Sequence, residues 1–285
     1  MKIAVIMSVY RAENPLKFAR ALDSIFSQVL PPSIDLKVYL GIDGPIPEGL
    51  KKIVNDYYDQ IAKVFAFPEN RGLAAVLNDL IDELDDEEFI FRMDTDDVSL
   101  PIRFARQLDY LALHPEVDIL GTSIVEVDEL KNTRRIVSFD QRGGREAVRL
   151  IARGVPVAHP TVCFRRKVFS SVKGYPLVRY NEDIALWFEC LRNGLVISNL
   201  AEPLYEFSVG ADFFKRRGIK KAFSELAIYM RGVWSLNGFS VDLVYPIARF
   251  AVRIAPKALQ KAAYGSRLRF RDIEEVTIAD GQSLS

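Results

Sequence analysis

Three carboxylates fall within four consecutive positions, Asp94, Asp96 and Asp97, directly after the apolar run Phe89-Ile90-Phe91-Arg92-Met93. Carboxylates brought to one face repel each other until a hard cation enters between them. In an extended chain Asp94 and Asp96 project to one side, and Thr95 and Asp97 to the other. Mg²⁺ and Mn²⁺ prefer oxygen ligands, and Mg²⁺ is commonly held by one or two carboxylates with substrate phosphates completing its shell. The segment therefore points to a metal-assisted phosphate site at Asp94 and Asp96, where the cation lets an anionic diphosphate enter an acidic pocket. The structural alternative is a solvated acidic turn that caps the helix near Leu100.

The elements that must position this cluster can be read from periodicity. Residues 2–8 form an apolar run expected to be a buried strand, and Leu22, Ile25, Phe26 and Val29 follow at helical spacing after Pro15. A second strand is expected at Leu36–Ile42, and a helix carries Leu50, Ile53, Val54 and Tyr57. A third strand is expected at Val64–Phe67, then a helix at Leu73–Leu84, then the strand that ends in the acids. This alternation predicts an α/β chain with a mostly parallel sheet covered on both faces. Ligands bind such sheets beyond the carboxyl ends of the strands. Ser8-Val9-Tyr10, Asp43, Asn70-Arg71 and Asp94-Thr95-Asp96 all fall there, so four polar strand ends converge on one crevice.

The first strand-to-helix turn, Ser8 to Pro15, contains no glycine. That excludes the G-x-G-x-x-G turn of dinucleotide-binding proteins and the Gly-Lys-Ser/Thr of a P-loop. Phosphate handling is left to a metal, while the turn offers a hydroxyl and an aromatic face suited to a nucleoside. Tyr10 as a cap over the sheet edge is the alternative. Asp43, in Gly41-Ile42-Asp43-Gly44-Pro45, either forms an Asx-turn or accepts from a base imide or ribose hydroxyl. Arg71 precedes a helix start, where a cation gains nothing from the dipole. That placement suggests a phosphate partner, against the alternative of a solvated surface arginine.

Bulk composition limits the wider possibilities. Lys plus Arg and Asp plus Glu are both 38, so nothing in the net charge argues for nucleic acid. The two cysteines, Cys163 and Cys190, lack metal-ligand spacing and are expected to be core thiols. The amino-terminal apolar run is too short for a signal peptide, and no uninterrupted apolar stretch is long enough for a membrane span. A cytoplasmic protein is expected, with one large domain and a helical appendage.

Taken together, Ser8-Val9-Tyr10, Asp43, Asn70-Arg71-Gly72 with Asn78, and Arg92-Met93-Asp94-Thr95-Asp96-Asp97 followed by Leu100-Pro101-x-Arg103-x-x-x-Gln107 closely resemble family 2 glycosyltransferases of the GT-A fold. The second half agrees through His159-Pro160-Thr161, Phe164-Arg165-Arg166, Gly174-Tyr175 and Asn181-Glu182-Asp183-Ile184-Ala185-Leu186-Trp187. The resemblance covers roughly residues 1–207 and is strongest to transferases of bacterial polysaccharide and O-antigen synthesis. It implies a Rossmann-like, mostly parallel sheet with flanking helices and a C-terminal helical extension. The nucleotide-binding half is expected at about 1–97 and the acceptor half at about 98–207.

The resemblance further implies an inverting transfer of one sugar from a nucleotide sugar, usually a UDP-sugar, to a glycan or lipid-linked acceptor. Mn²⁺ or Mg²⁺ would sit on Asp94 and Asp96. Ser8, Val9, Tyr10, Asp43, Asn70, Arg71, Asn78, Asp94 and Thr95 would hold the donor. Asp183 would be the general base, since the attacking hydroxyl must lose a proton, and His159, Glu182 and Trp187 would meet the acceptor. Without the family, Asp183 reads as the cap of a helix at Ile184–Leu191, and His159 as a structural hydrogen-bond partner. Two departures stand out. The segment Tyr205-Glu206-Phe207-Ser208-Val209-Gly210 lacks the histidine that many relatives use as a further metal ligand, and the Q-x-x-R-W motif and membrane spans of processive synthases are missing. Single addition is the expectation. The alternatives are a catalytically silent nucleotide- or glycan-binding module and a sugar-phosphate nucleotidyltransferase, the latter disfavoured because Ser8–Pro15 offers no glycine-rich triphosphate loop.

Beyond Ala211 the alternation stops. Phe213-Phe214-Lys215-Arg216-Arg217 opens a helical region spanning about 208–271, in which Arg249, Arg253, Lys257, Lys261, Arg267, Arg269 and Arg271 punctuate Val244, Ile247, Phe250, Ile254 and Leu259. Such a stripe suits peripheral attachment at the inner face of an anionic plasma membrane, or packing on the catalytic domain or a dimer partner. Residues 272–285 are expected to be a flexible tail.

Overall fold

A computed structural model describes residues 1–128, 132–139, 145–209 and 219–255, and the backbone of 273–274. The first strand, β1 (Lys2–Tyr10), is fully buried from Ile3 to Met7 and again at Val9, as a strand covered on both faces must be. It pairs in parallel with β2 (Asp35–Asp43), from Lys2 beside Asp35 to Tyr10 beside Asp43, and with β4 (Phe89–Arg92) on its other side. The strand β3 (Lys63–Ala66) extends this parallel block beyond β2.

The helices of this half follow from local chemistry. Asn14 accepts from the backbone N–H groups of Leu16 (2.9 Å) and Lys17 (3.2 Å), and Pro15 occupies the first turn of α1 (Pro15–Phe26). The helices α2 (Glu48–Asp56) and α3 (Leu73–Asp82) return the chain between parallel strands, as expected from spacing.

The α/β architecture with flanking helices is the one anticipated, and its parallel pairing is concentrated in the first half. Beyond β4 the sheet becomes mixed. The strand β8 (Cys163–Arg165) lies antiparallel between β4 and β6 (Ile119–Asp128). Next, β9 (Ile197–Ser208) runs parallel to β6 with a register shift near Ser123, and pairs with the short β5 (Val98–Ser99). At the far edge, β7 (Thr133–Val137) pairs with β6, and Ile273–Glu274, within the expected tail, form β10 against it.

Two apolar layers sandwich the sheet. One packs α1, α2 and α4 (Arg103–Leu113) through Phe18, Leu22, Leu50, Phe104 and Leu111. The other packs α3, α5 (Arg145–Leu150), α6 (Lys167–Val172) and α7 (Glu182–Arg192) through residues such as Leu77, Ala147, Val168 and Trp187. Cys163 and Cys190 are both fully buried, and burial pushes both thiols up, as core cysteines should be.

The helical appendage is α8 (Ile219–Asn237) and α9 (Val244–Ile254). Gly232 lets α8 lie against the Phe188 ring of α7, where an added Cβ would come within 2.3 Å. No described helix is long and apolar enough to cross a membrane. Phe213 to Arg217, and Lys257, Leu259, Lys261, Arg267, Arg269 and Arg271, lie outside the described residues.

Candidate active site

The β4 strand ends at Arg92, a buried cation in an otherwise apolar strand. Its guanidinium grips Asp94 with both Nη atoms, Nη1 donating to Oδ2 at 2.8 Å and Nη2 to Oδ1. Burial alone would lower the Arg92 pKa, but Asp94, Tyr205 and Tyr175 together outweigh it and the net shift is upward. Arg92 is held from behind by the Arg103 and Gln107 of α4. Arg103 Nη2 donates to the Arg92 carbonyl at 3.2 Å, and its Nε donates to Gln107 Oε1 at 3.0 Å. Gln107 Nε2 donates to the carbonyls of Leu120 (2.6 Å) and Thr161 (3.0 Å), tying β4, β6 and the 159–161 turn together. Both side chains are fully buried, and burial lowers Arg103 to about 10. The spaced Arg and Gln after the acids are thus a brace for the end of β4.

Residues 94–97 form a turn, not the extended segment expected. Alternation therefore does not separate Asp97 from the other two acids. A carboxylate oxygen from each of Asp94, Asp96 and Asp97 lies within 4.8 Å of the others. The acids do not cap α4 either, because its N-cap is Ile102, with no side-chain bond.

Asp97 is 1% exposed, and its Oδ1 accepts the Ser208 N–H at 2.7 Å, so the end of β9 is fastened to the cluster. Burial, then Asp94 and Asp96, push the Asp97 carboxyl well above the usual range. Its Oδ2 is buried without a hydrogen-bond partner. An all-oxygen donor set containing such an orphaned buried oxygen fits Mg²⁺ or Mn²⁺. Thr95, expected to touch the donor, is 3% exposed within the turn.

The nucleoside end is built from the first two strands. Ser8 and Tyr10 are half-buried at the mouth, whereas Val9 is fully buried and packs the core, so its side chain cannot meet a nucleotide. Asp43 makes no simple Asx-turn. Its carboxylate accepts from Asn70 Nδ2 (2.8 Å) and from the backbone N–H groups of Arg71 (2.7 Å) and Gly72 (3.0 Å), folding the loop that starts α3. Three bonds on two oxygens leave little capacity for a ligand.

Arg71 already has local partners. It pairs with Asp79 and stacks on the Phe67 ring at 4.1 Å, which accounts for its position without a phosphate. Asn78 is likewise engaged, donating to the Tyr175 carbonyl at 2.9 Å and accepting the Tyr175 N–H at 2.6 Å. Its role here is to clamp the 174–175 loop. Gly174 has φ of +91°, and a Cβ there would lie 2.4 Å from Asn78 Oδ1. Gly174→Ala should therefore destabilise the fold by about 1–3 kcal/mol, read as a fall in Tm, while Lys173→Ala on the neighbouring exposed position should not.

On the opposite wall, α7 begins at Asn181, which adopts the left-handed conformation with φ of 59°. Glu182 and Asp183 occupy the first turn, so Asp183 is not the cap that sequence reading allowed. Burial raises the Asp183 carboxyl against the opposing pull of the Ile184 N–H, Lys221 and Arg92. Glu182 is raised as well, by burial and then by Asp183.

His159 and Trp187 were expected to meet the acceptor, but both stand behind the site. His159 is 7% exposed, with Nε2 2.9 Å from the Tyr175 hydroxyl, and burial and then Arg92 push its pKa well down, leaving a neutral imidazole. Trp187 is fully buried and meets His159 edge-on at 5.9 Å.

Arg92 joins the two walls. It pairs with Asp94, and its charge acts on His159, Tyr175, Glu182 and Asp183. Sequence reading assigned it no role, although a lone cation closing an apolar strand before three acids was the available signal.

Comparison with known proteins identifies the family. A family model described as Glycosyl transferase family 2 matches residues 4–172. The amylovoran biosynthesis glycosyltransferase AmsE of Erwinia amylovora is 29% identical over 265 residues, covering 92% of this chain and 97% of its own. The UDP-Gal:alpha-D-GlcNAc-diphosphoundecaprenol beta-1,3-galactosyltransferase of Escherichia coli is 27% identical over 275 residues, covering 94% and 97%. Among solved structures, S. aureus TarS 1-349 in complex with UDP-GlcNAc superposes with a TM-score of 0.59 at 17% identity, covering 92% of this chain and 83% of that one, a likeness of fold. The chain therefore belongs to glycosyl transferase family 2.

Proposed function

We propose that this protein transfers one sugar, with inversion, from a UDP-sugar to a glycan acceptor carried on a lipid diphosphate, in the building of a surface polysaccharide. The observation that supports it is that Arg92, which grips Asp94 of the Asp94–Asp96–Asp97 cluster, also acts by its charge on the helix-borne Asp183. One wall suits a diphosphate and the other suits a proton acceptor. The residues that would hold a divalent cation are Asp94 and Asp96, with Asp97 completing the cluster and Asp94 oriented by Arg92. When bound, such an ion supplies positive charge to the departing diphosphate.

The protein's own part in the reaction is positional. Ser8, Tyr10 and the loop ordered by Asp43 form the nucleoside end, within residues 1–97, and residues 98–207 supply the acceptor wall. Asp183 takes the acceptor proton as the hydroxyl oxygen bonds to the anomeric carbon and the bond from that carbon to UDP breaks. Glu182 lies beside it at the acceptor side. The lipid-linked acceptor is suggested by the name of the Escherichia coli relative, and it implies work at the inner face of the plasma membrane by peripheral attachment.

The test is UDP release from a panel of UDP-sugars, with Mn²⁺ or Mg²⁺ against chelator, in the presence and absence of a synthetic lipid-diphosphate sugar. Release that needs both metal and acceptor is expected for one donor. UDP binding with no turnover on any pair would instead favour a silent binding module.

A further inference from the structure

The α9 helix is amphipathic but mounted inside out. At 100° per residue, Val244, Ile247, Ala248, Ala251, Val252 and Ile254 share an arc of about 160°, and all six are exposed. Its polar side chains point inward instead. Arg253 pairs with Glu225 of α8, which is 6% exposed, while Arg249 lies 3.6 Å from the same carboxylate and 4.3 Å above the Tyr229 ring. These half-buried ion pairs fix the rotation of the helix and leave its apolar side outward. At the end of α8 and in the turn into α9, Trp234, Phe239 and Val241 are exposed as well, and the two rings meet edge-on at 6.1 Å.

We propose that this face seats the protein in the headgroup layer of an anionic bilayer, with Val244, Ile247, Val252, Trp234, Phe239 and Val241 as the inserting side chains. Charge favours a bilayer over a second copy of the chain. Residues 219–255 carry five Lys or Arg against two acids. Glu225, Arg249 and Arg253 are spent on one another, which leaves Lys220, Lys221 and Arg231 against Asp242, and Asp242 accepts from Asn237 Nδ2 at 2.9 Å. The sequence from 256 to 271 adds Lys257, Lys261, Arg267, Arg269 and Arg271 and no acid. Apolar and Trp side chains flanked by cations are what an interfacial helix on anionic lipid requires.

Position agrees as well. Asn181 Nδ2 donates to the Lys221 carbonyl at 3.4 Å, and Ser224 Oγ donates to the Tyr180 carbonyl at 3.3 Å. The start of α8, with Phe223 exposed, is thus fastened to the loop that leads into Asp183. A bilayer meeting this face would present a lipid-borne sugar on the side of the acceptor wall. The inference rests on the transferase reading for its purpose, but its measurement needs neither donor nor acceptor.

The test uses the full chain with vesicles of phosphatidylethanolamine and phosphatidylglycerol, against vesicles of phosphatidylcholine. The wild type should co-sediment with the anionic vesicles. Brominated acyl chains should quench its fluorescence through Trp234, since Trp187 is fully buried, and Trp234→Phe should remove that quenching. Ile247→Asp, at an exposed position, should lower partitioning at least about tenfold and leave Tm and UDP binding unchanged. Absence of co-sedimentation overturns the inference. So does binding to anionic vesicles without bromolipid quenching, which would mean contact through charge alone. A lipid-free dimer that Ile247→Asp converts to monomer, with no vesicle binding, would make the face a subunit contact. Vesicle binding without any sugar transfer would leave this inference standing and remove the catalytic reading.

Discussion

Asp183→Asn should lower acceptor-dependent UDP release by about 10²–10⁴-fold and leave UDP affinity unchanged. The substitution keeps the shape of the first turn of α7 and removes only the capacity to accept a proton. Folding should not suffer. Burial raises the Asp183 carboxyl in the native state, so its contribution to stability is fully present below the unfolded pKa and is lost as pH rises through the folded value. At neutral pH the asparagine variant should therefore match or exceed the wild-type Tm, which separates lost chemistry from lost structure. The wild-type rate should fall on the acid side through an apparent pKa above the usual carboxylate range, because catalysis needs the ionised form. That limb should be missing from the residual activity of the variant. An unchanged acid limb in Asp183→Asn would move the base to another group, with Glu182 the first candidate.

Asp96→Asn should cost about 10²–10³-fold in turnover and abolish the response of donor binding to Mn²⁺ or Mg²⁺. The expected ranking among the three acids comes from their surroundings. Asp94 is committed to Arg92 through both oxygens, and Asp97 is buried and shifted towards its protonated form. Asp96 is half-buried, and its carboxylate lies with the other two in the cluster that a cation would answer. Asp97→Asn resembles the protonated acid and can still accept the Ser208 N–H, so it should retain the fold and lose less turnover than Asp96→Asn. Titration of UDP against each variant, with metal and with chelator, measures both effects. Equal metal response in the wild type and Asp96→Asn would remove the acid cluster from the donor site.

Much of the first half was legible because its information is local. The buried strand β1, the start of α1 at Pro15 and the strand before the acids all follow from periodicity and turn chemistry within a few residues. What was not legible depends on partners far along the chain. The pairing of β6 with β9 joins residues some 80 positions apart, and no local pattern announces its direction. The same holds for Asp43, whose carboxylate holds residues 70–72, and for Asn78, whose amide is consumed by Tyr175. Asp43 ends a strand and Asn78 lies mid-helix, and sequence alone could not tell a clamp from a ligand contact at either. The acidic turn was misread for a simpler reason, since alternation holds only while the chain stays extended and β4 ends at Arg92. On α9 the stripe was visible, but its outward rotation is set by Glu225 on another helix.

The most direct measurement is the anomeric configuration of the product formed from an α-linked UDP-hexose, read by proton NMR after complete conversion. Direct attack by the acceptor hydroxyl, with its proton passing to Asp183, gives a β-linked product. An α-linked product would contradict displacement at the metal-held donor and with it the role assigned to Asp183.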